Sequence, residues 1–366
     1  MIVIGTDTHK QTHTASAVFA QTGQFAGELT APARRAGFVE LLHWGRELDQ
    51  ERIWAIEDCR HVSGSFERFL IAVGEHVVRV PPRMMGTSRQ GERTRGKSDP
   101  IDARAIARAA LKEGPETLPG AHLNENALET KLLLDHREDL VRARSEDQQR
   151  LRWHLHDLWP ELQIPAGALD RLIWLDRVSR KLARSEQCGR VRIARELVRE
   201  IRRRTRRAAE LESEIGALVG AHAPGLLALP GCGTLTAAKL VAETAGARRF
   251  SSDAKLARLA GVAPIPASSG KRDRHRLDRG GNRQLNCALH RIAVTQGRVH
   301  PPARDYLLRR QEEGKSRMEA LRCLKRHLAR AVWQALRRAE SRGSNLSRLD
   351  STQSSNLRPV AGLALT

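Results

Sequence analysis

The chain has 366 residues, of which 40% are hydrophobic and 29% charged, and 63 lysines and arginines against 42 aspartates and glutamates leave a formal charge of +21. That length supports two or three domains with buried cores, and an isoelectric point near 11.0 makes nucleic acid the expected partner, ahead of an anionic lipid surface or a merely basic protein. No apolar run is long enough for a membrane helix, the N-terminus lacks the flank and length of a signal peptide, and an aromatic content of 4% argues against base stacking as the main binding mode.

Residues 2–6 read as a buried strand, 12–20 as a second and 25–30 as a third, with a turn at 21–24, so the chain opens on an antiparallel meander. A helix at 37–48, a strand at 52–57, a helix at 65–73 and a strand at 76–80 follow. Three strands and then alternating helix and strand is the order of a ribonuclease-H-like mixed α/β sheet. Residues 91–97, with Arg93, Arg95 and Lys97, form a basic loop that leads to Asp99 as a helix N-cap and Pro100 at the first helical position, predicting a helix over 101–111.

From 126 to 220 the pattern is nearly all helical, with long amphipathic segments at 136–158 and 191–219 that predict a spacer or dimerising arm. The arginines at 202, 203, 204, 206 and 207 occupy most of one helix circumference, and read either as a solvated face or as phosphate contacts. A mainly α region from 221 to 340 begins with Leu229-Pro230-Gly231-Cys232-Gly233-Thr234 between two helical patterns, which has the form of a helix-hairpin-helix. There Gly231 and Gly233 would let the backbone approach a phosphate, although a plain αα turn needs the same glycines. Residues 341–366 are Ser-rich and unpatterned and are expected to be disordered. The expected domains are therefore 1–125, 126–220 and 221–340, with the tail after them. Cys59, Cys188, Cys232, Cys287 and Cys323 are odd in number and scattered, as expected of reduced thiols in a cytoplasmic protein.

Four carboxylates carry the chemistry. Asp7 directly follows a buried apolar strand, where an unpaired charge is costly and a cation would offset the cost. Glu57 repeats that position after Ile53-Trp54-Ala55-Ile56; its neighbour Asp58 should point to the opposite side, and Glu57 is the preferred ligand of the two. Asp99 and Asp102, three residues apart on a helix, lie on one face about 5 to 6 Å apart at Cβ, within reach of a shared metal, although capping alone also favours acids there. Together the four suit a pair of divalent cations, Mg²⁺ or Mn²⁺, acting on a phosphodiester. Farther on, Ser268 and Ser269 stand between prolines and a basic cluster of Lys271, Arg272, Arg274 and Arg276, where a serine is either a nucleophile or an ordinary turn residue.

In their order along the chain, these motifs resemble one family over nearly the whole length to about residue 338. They are Ile4-Gly5-Thr6-Asp7-Thr8-His9-Lys10, Ile56-Glu57-Asp58, Lys97-Ser98-Asp99-Pro100-Ile101-Asp102-Ala103, Leu229-Pro230-Gly231-Cys232-Gly233, Ala260-Gly261-Val262-Ala263-Pro264, Ser268-Ser269-Gly270 and Arg279-Gly280-Gly281-Asn282-Arg283-Gln284-Leu285. The family is that of the DEDD-type insertion-sequence transposases with a serine nucleophile, the bridge-RNA-guided recombinases. The resemblance implies a RuvC-like N-terminal domain, a coiled-coil arm and a C-terminal transposase domain. It implies Asp7, Glu57, Asp99 and Asp102 as the DEDD set, and Ser269, with Ser268 as the alternative, as the residue that attacks DNA and becomes a phosphoserine.

It further implies donor and target duplex DNA, a structured guide RNA, and a homodimer that pairs into a tetramer with the acids of one subunit against the serine of another, at the nucleoid. Asp278 stands where relatives often carry a small hydroxyl residue, and 273–275 also departs from the common form. Two rival readings of the same residues are a RuvC-like nuclease or resolvase that uses water, and a non-catalytic nucleic-acid-binding protein.

Overall fold

The computed structural model describes residues 1–57, 64–80, 98–118, 120–121, 124–267, 275–276, 278 and 281–354, with side chains of the last helix described to Ser341. The residues fall into two compact units that interleave along the chain: the first comprises Met1–Asn124 and Ala245–Asn282, the second Glu125–Thr244 and Arg283–Thr366.

The first unit is built on a five-stranded sheet. Strands β1 (Ile2–Thr8), β2 (Thr12–Phe19) and β3 (Phe25–Pro32) form the antiparallel meander. After helix α1 (Arg35–Leu48), strand β4 (Arg52–Glu57) joins β1 in parallel; after helix α2 (Gly64–Ala72), β5 (Val77–Val80) joins β4 in parallel, for a spatial order β3-β2-β1-β4-β5. The sequence places these elements within two residues, because alternation along each strand sorts side chains onto two covered faces. On one face Ile2, Ile4, Trp54, Phe38, Leu41 and Phe66 form a core with α1 and α2. On the other Val3, Ala55, Val78 and Val80 pack on helix α3 (Asp99–Glu113) through Ala105, Ile106, Ala109 and Ala110.

Gly5 explains how closely α3 lies on the sheet. A Cβ there would overlap Ala103 O and Ala107 N, so the helix backbone rests directly on β1, and the alanines of α3 keep the rest of the interface thin. At the opposite edge Glu75 is held by Arg52 at 2.5 Å, Arg46 at 3.1 Å and Trp54 Nε1 at 3.1 Å. Burial alone would raise its carboxyl, but these partners hold it below the usual carboxylate range.

The second segment of this unit carries a short helix, α9 (Asp253–Leu259), and the two-residue strands β6 (Ile265–Pro266) and β7 (His275–Arg276), which pair antiparallel. Gly261 and Gly281 touch backbone to backbone at its base: a Cβ on Gly281 would overlap Gly261 N and Cα, and Gly261 has a φ of +64°. Lys255 donates to Glu116 O at 2.9 Å, and Arg258 pairs with Glu113 at the C-terminal end of α3.

In the second unit, α4 (Glu125–Leu158) and α6 (Gly189–His222) run antiparallel as a long pair, with α5 (Leu172–Ala183) between them in sequence. Their direction is fixed by cross-links at successive levels, Asn126 with His222, Arg137 with Glu212, Arg204 with Asp147, and Arg190 with Asp157. Leu151, Leu155, Leu175, Val178, Val191 and Val198 form an apolar core among the three helices. A one-turn helix α7 (Pro224–Leu227) and α8 (Thr234–Thr244) follow, then α10 (Arg283–Val299), α11 (Pro301–Glu312) and α12 (Arg317–Ser354).

The expected disordered tail is corrected over its first part: α12 runs through Ser341 to Ser354. Adding a residue to an existing helix costs far less than nucleating one, and no proline interrupts the sequence before Pro359. Among the described residues no helix is long and apolar enough to cross a membrane, and Cys188, Cys232, Cys287 and Cys323 are free thiols.

Candidate active site

Asp7 is the next-to-last residue of β1 and shares the α3 face of the sheet with Val3 and Gly5. Its neighbours in the parallel ladder are set by Thr6↔Ile56, which places Glu57, the last residue of β4, beside Asp7 in the next register position. The close seat of α3 on Gly5 carries the start of that helix to the same sheet end. Ser98, not Asp99, is the N-cap, with φ −146° and no side-chain cap bond, so the helix begins one residue earlier than expected, at Asp99; Pro100 follows, and Asp102 N donates to Ser98 O at 3.0 Å. Because Asp99 does not cap the helix, its half-exposed carboxylate is available to the sheet.

The three side chains that meet are Asp7, His9 and Asp99. His9 Nε2 lies 3.2 Å from Asp7 Oδ2 and 3.3 Å from Asp99 Oδ1. One ligand atom from each residue falls within 4.8 Å of the others, the one such group of His, Cys, Asp and Glu among the described residues. His9 N donates to Thr12 O at 2.9 Å, so the turn between β1 and β2 anchors the His9 backbone beside Asp7. Asp102 is buried close behind, and Asp7 feels its charge as well as that of Asp99. Burial is the largest influence on Asp7 and pushes its carboxyl above the usual range; His9 opposes this, and the two aspartates add to it.

A divalent cation fits this donor set. Asp7, His9 and Asp99 would hold it, with Asp102 and Glu57 on the flanks, and it would supply Lewis-acid polarisation of a phosphate oxygen. The desolvated Asp7 carboxylate surrounded by like charges is the feature a cation would relieve. His9 has no role in the sequence reading beyond its place in the motif. The signal that identifies it is the Asp-x-His spacing, since residues i and i+2 of an extended chain project to one side.

The other expected residues lie elsewhere or outside the described chain. Asp58, Arg93, Arg95, Lys97, Ser268, Ser269, Lys271, Arg272 and Arg274 fall outside the described residues. The serines belong to the connection between β6 and β7, and Arg276 is exposed on β7. A hollow of about 510 Å³ at the base of this hairpin is lined by Glu113, Arg258, Pro264, Ile265 and Asp278 among others. Glu113 closes α3 as Asp99 opens it, about 21 Å away at 1.5 Å per residue. Gly231, with φ +78°, packs on α10: a Cβ there would sit 3.0 Å from Thr295 Cβ and 3.2 Å from Ile292 O, and Gln296 donates to Pro230 O at 2.8 Å. Gly233 has open space around it at the start of α8.

Residues 4–160 match the model of the IS110-type DEDD transposases, described as a transposase, and residues 223–308 match that of the transposase IS116/IS110/IS902 family. The chain is 28% identical over 381 residues to the uncharacterized 44.8 kDa protein of insertion element IS116 from Streptomyces clavuligerus, covering 92% of this chain and 94% of that one. It is 37% identical over 130 residues to the uncharacterized 43.6 kDa protein of insertion element IS110 from Streptomyces coelicolor, covering 35% and 32%. With the uncharacterized 42 kDa protein of insertion element IS900 from Mycobacterium paratuberculosis the identity is 34% over 118 residues, covering 32% and 30%. The chain belongs to the IS110/IS116 family of insertion-element transposases.

Proposed function

We propose that this transposase is a DNA recombinase that cuts and rejoins duplex DNA through a serine-linked intermediate on a ribonuclease-H-like, RuvC-type catalytic domain. The observation that carries the reading is the meeting of Asp7 and Asp99, from a strand end and a helix start, around His9. Asp7 and Asp99, with His9 between them, would hold Mg²⁺ or Mn²⁺, and Glu57 and Asp102 beside them would complete the acidic set. The Ser269 Oγ attacks a DNA phosphorus; the Oγ–P bond forms, the bond to the adjoining deoxyribose oxygen breaks, and that oxygen leaves with a proton as a hydroxyl. Reversal on a second DNA end restores a phosphodiester and frees the serine, so the number of phosphate ester bonds is conserved throughout.

A guide RNA selects donor and target, and the basic residues of the β6–β7 connection and of 93–97 hold phosphates. Within the first unit the hairpin base adjoins the far end of α3 from Asp99. That separation supports a composite site, in which a dimer pairs into a tetramer and the acids of one copy serve the serine of another.

The test is a denaturing gel of protein incubated with guide RNA, labelled donor and target DNA and Mg²⁺. A protease-sensitive protein–DNA adduct is expected from the wild type, and none from Ser269→Ala or Asp7→Asn. An adduct that persists in Ser269→Ala overturns the serine assignment. Nicked DNA without an adduct, in wild type and Ser269→Ala alike, favours hydrolysis by water, the alternative suggested by an acidic group drawn from the end of β1, the turn after it and the start of α3.

A further inference from the structure

Helix α6 carries a charge that the catalytic reading does not use. Between Arg190 and Arg207 there are nine arginines, two glutamates and no lysine. Most arginines of the arm are satisfied internally: Arg137 pairs with Glu212 at 2.6 Å, Arg204 with Asp147 at 2.6 Å, Arg144 with Asp170 at 3.3 Å, and Arg202 with Asp176. A second set is different. Arg192, Arg195, Arg199, Arg203 and Arg206 are exposed, and at 100° per residue they fall within about 80° of one another around the helix.

These five side chains form a straight stripe about 21 Å long, with one guanidinium per roughly 5 Å of axis. Arg195 donates to Gln187 at 3.2 Å and Arg203 is paired with Glu200 at 2.7 Å. The side chains of Arg192, Arg199 and Arg206 make no hydrogen bond or ion pair among the described residues. Arg199, Arg203 and Arg206 also border an open hollow of about 490 Å³ on this helix, with Arg202, Arg207 and Glu210.

Concentrating like charges on one face costs electrostatic energy, and the arm offers acids to its other arginines but few to these. An external polyanion supplies the missing counter-charge. Arginine rather than lysine throughout suits bidentate contact with phosphate oxygens. A straight row of cations suits a regular polyanion such as duplex DNA, whose strand presents one phosphate per about 3.4 Å of axis, close enough for each guanidinium to find one within its reach. We propose that the stripe of Arg192, Arg195, Arg199, Arg203 and Arg206 is a sequence-independent docking track for the backbone of duplex DNA. The proposal rests on the family's action on DNA but not on the chemistry assigned to Asp7 or Ser269.

The test titrates the full chain against a fluorescent 30-base-pair duplex of arbitrary sequence over a range of salt concentrations. Arg192→Gln/Arg199→Gln/Arg206→Gln is compared with the charge-matched control Arg142→Gln/Arg150→Gln/Arg180→Gln, also on exposed faces of the arm. Loss of three phosphate contacts should flatten the dependence of log K on log salt by about 2.7 and weaken binding at least about tenfold near 0.1 M salt. The control should change both much less, and the triple Arg→Lys variant at 192, 199 and 206 should keep most of the slope.

Equal losses in stripe and control variants, or no loss in the stripe variant, overturn the proposal, as does a loss confined to a structured RNA probe. Wild-type protein that grips duplex DNA while the stripe variant is unchanged leaves the family reading standing. Wild-type protein that fails to bind duplex DNA at all counts against both.

Discussion

Burial and hydrogen bonding set what individual ionisable groups can do in the catalytic unit, and His13 gives the plainest case. It is buried between Phe38, stacked at 5.5 Å, and Phe66 at 5.3 Å, its Nδ1 donates to Thr12 O at 3.1 Å, and its Nε2 has no hydrogen-bond partner among the described residues. Burial is the main influence and lowers its pKa below the ordinary 6.5, against the opposing Thr12 hydrogen bond. The unfolded chain then takes up the proton at a higher pH than the folded one. The stability that His13 contributes is present above about 6.5 and is lost as pH falls through its folded value. Urea midpoints measured from pH 8 to 5 should fall for the wild type, and the fall should be shallower in His13→Phe, which should stay within about 1 kcal/mol of wild type at pH 8. A parallel decline in both proteins would assign the acid sensitivity to other groups. At this scale the sequence marked Asp7 through the cost of ending a buried strand on an acid, whereas His9 emerged only when the β1–β2 turn placed it between two aspartates.

The contact of β1 with α3 sets the site at the scale of elements. The helix start is legible from Ser98-Asp99-Pro100, and the strand from its apolar run, but only their packing brings Asp99 to Asp7. Gly5 is the residue that permits it, since its missing side chain is where Ala103 and Ala107 pass. In Gly5→Ala the methyl meets helix backbone rather than a flexible side chain, so either α3 lifts from the sheet or the strand bends. The expected result is a loss of about 1–3 kcal/mol in urea unfolding, with weaker Mn²⁺ binding because Asp99 withdraws from Asp7 and His9. Unchanged stability and Mn²⁺ affinity would show that the close approach is not needed. The two long helices α4 and α6 were legible as amphipathic segments, but their antiparallel pairing was not, and neither was α5, whose twelve residues lie in the stretch between them. Gly231 shows the reverse limit: a glycine turn reads alike whether it meets a phosphate or a helix, and here Ile292 and Thr295 of α10 are its neighbours.

The whole molecule departs most from its reading as consecutive segments, because the two compact units cross three times along the chain. No local pattern announces this. Residues 245–282 follow the arm in sequence, yet they belong to the unit that holds the acids, tied to it by Arg258 with Glu113 and Lys255 with Glu116 O. A fragment of residues 1–124 alone would therefore lose these links. A single chain joining 1–124 to 245–282 through a flexible Gly/Ser linker should be the more stable of the two. Each exposed pair adds only about 0.2–1 kcal/mol, so the expected gain from the two links is about 0.4–2 kcal/mol, read as a higher urea midpoint with a larger m-value from the added buried surface. Mixing 1–124 with a separate 245–282 peptide should restore part of that gain in a concentration-dependent way, since binding to the folded form alone raises stability by mass action. If the joined chain unfolds in two separate transitions, with the first 124 residues melting where they melt alone, then 245–282 forms no cooperative part of the acidic unit, and the serine segment would have to be positioned by other means.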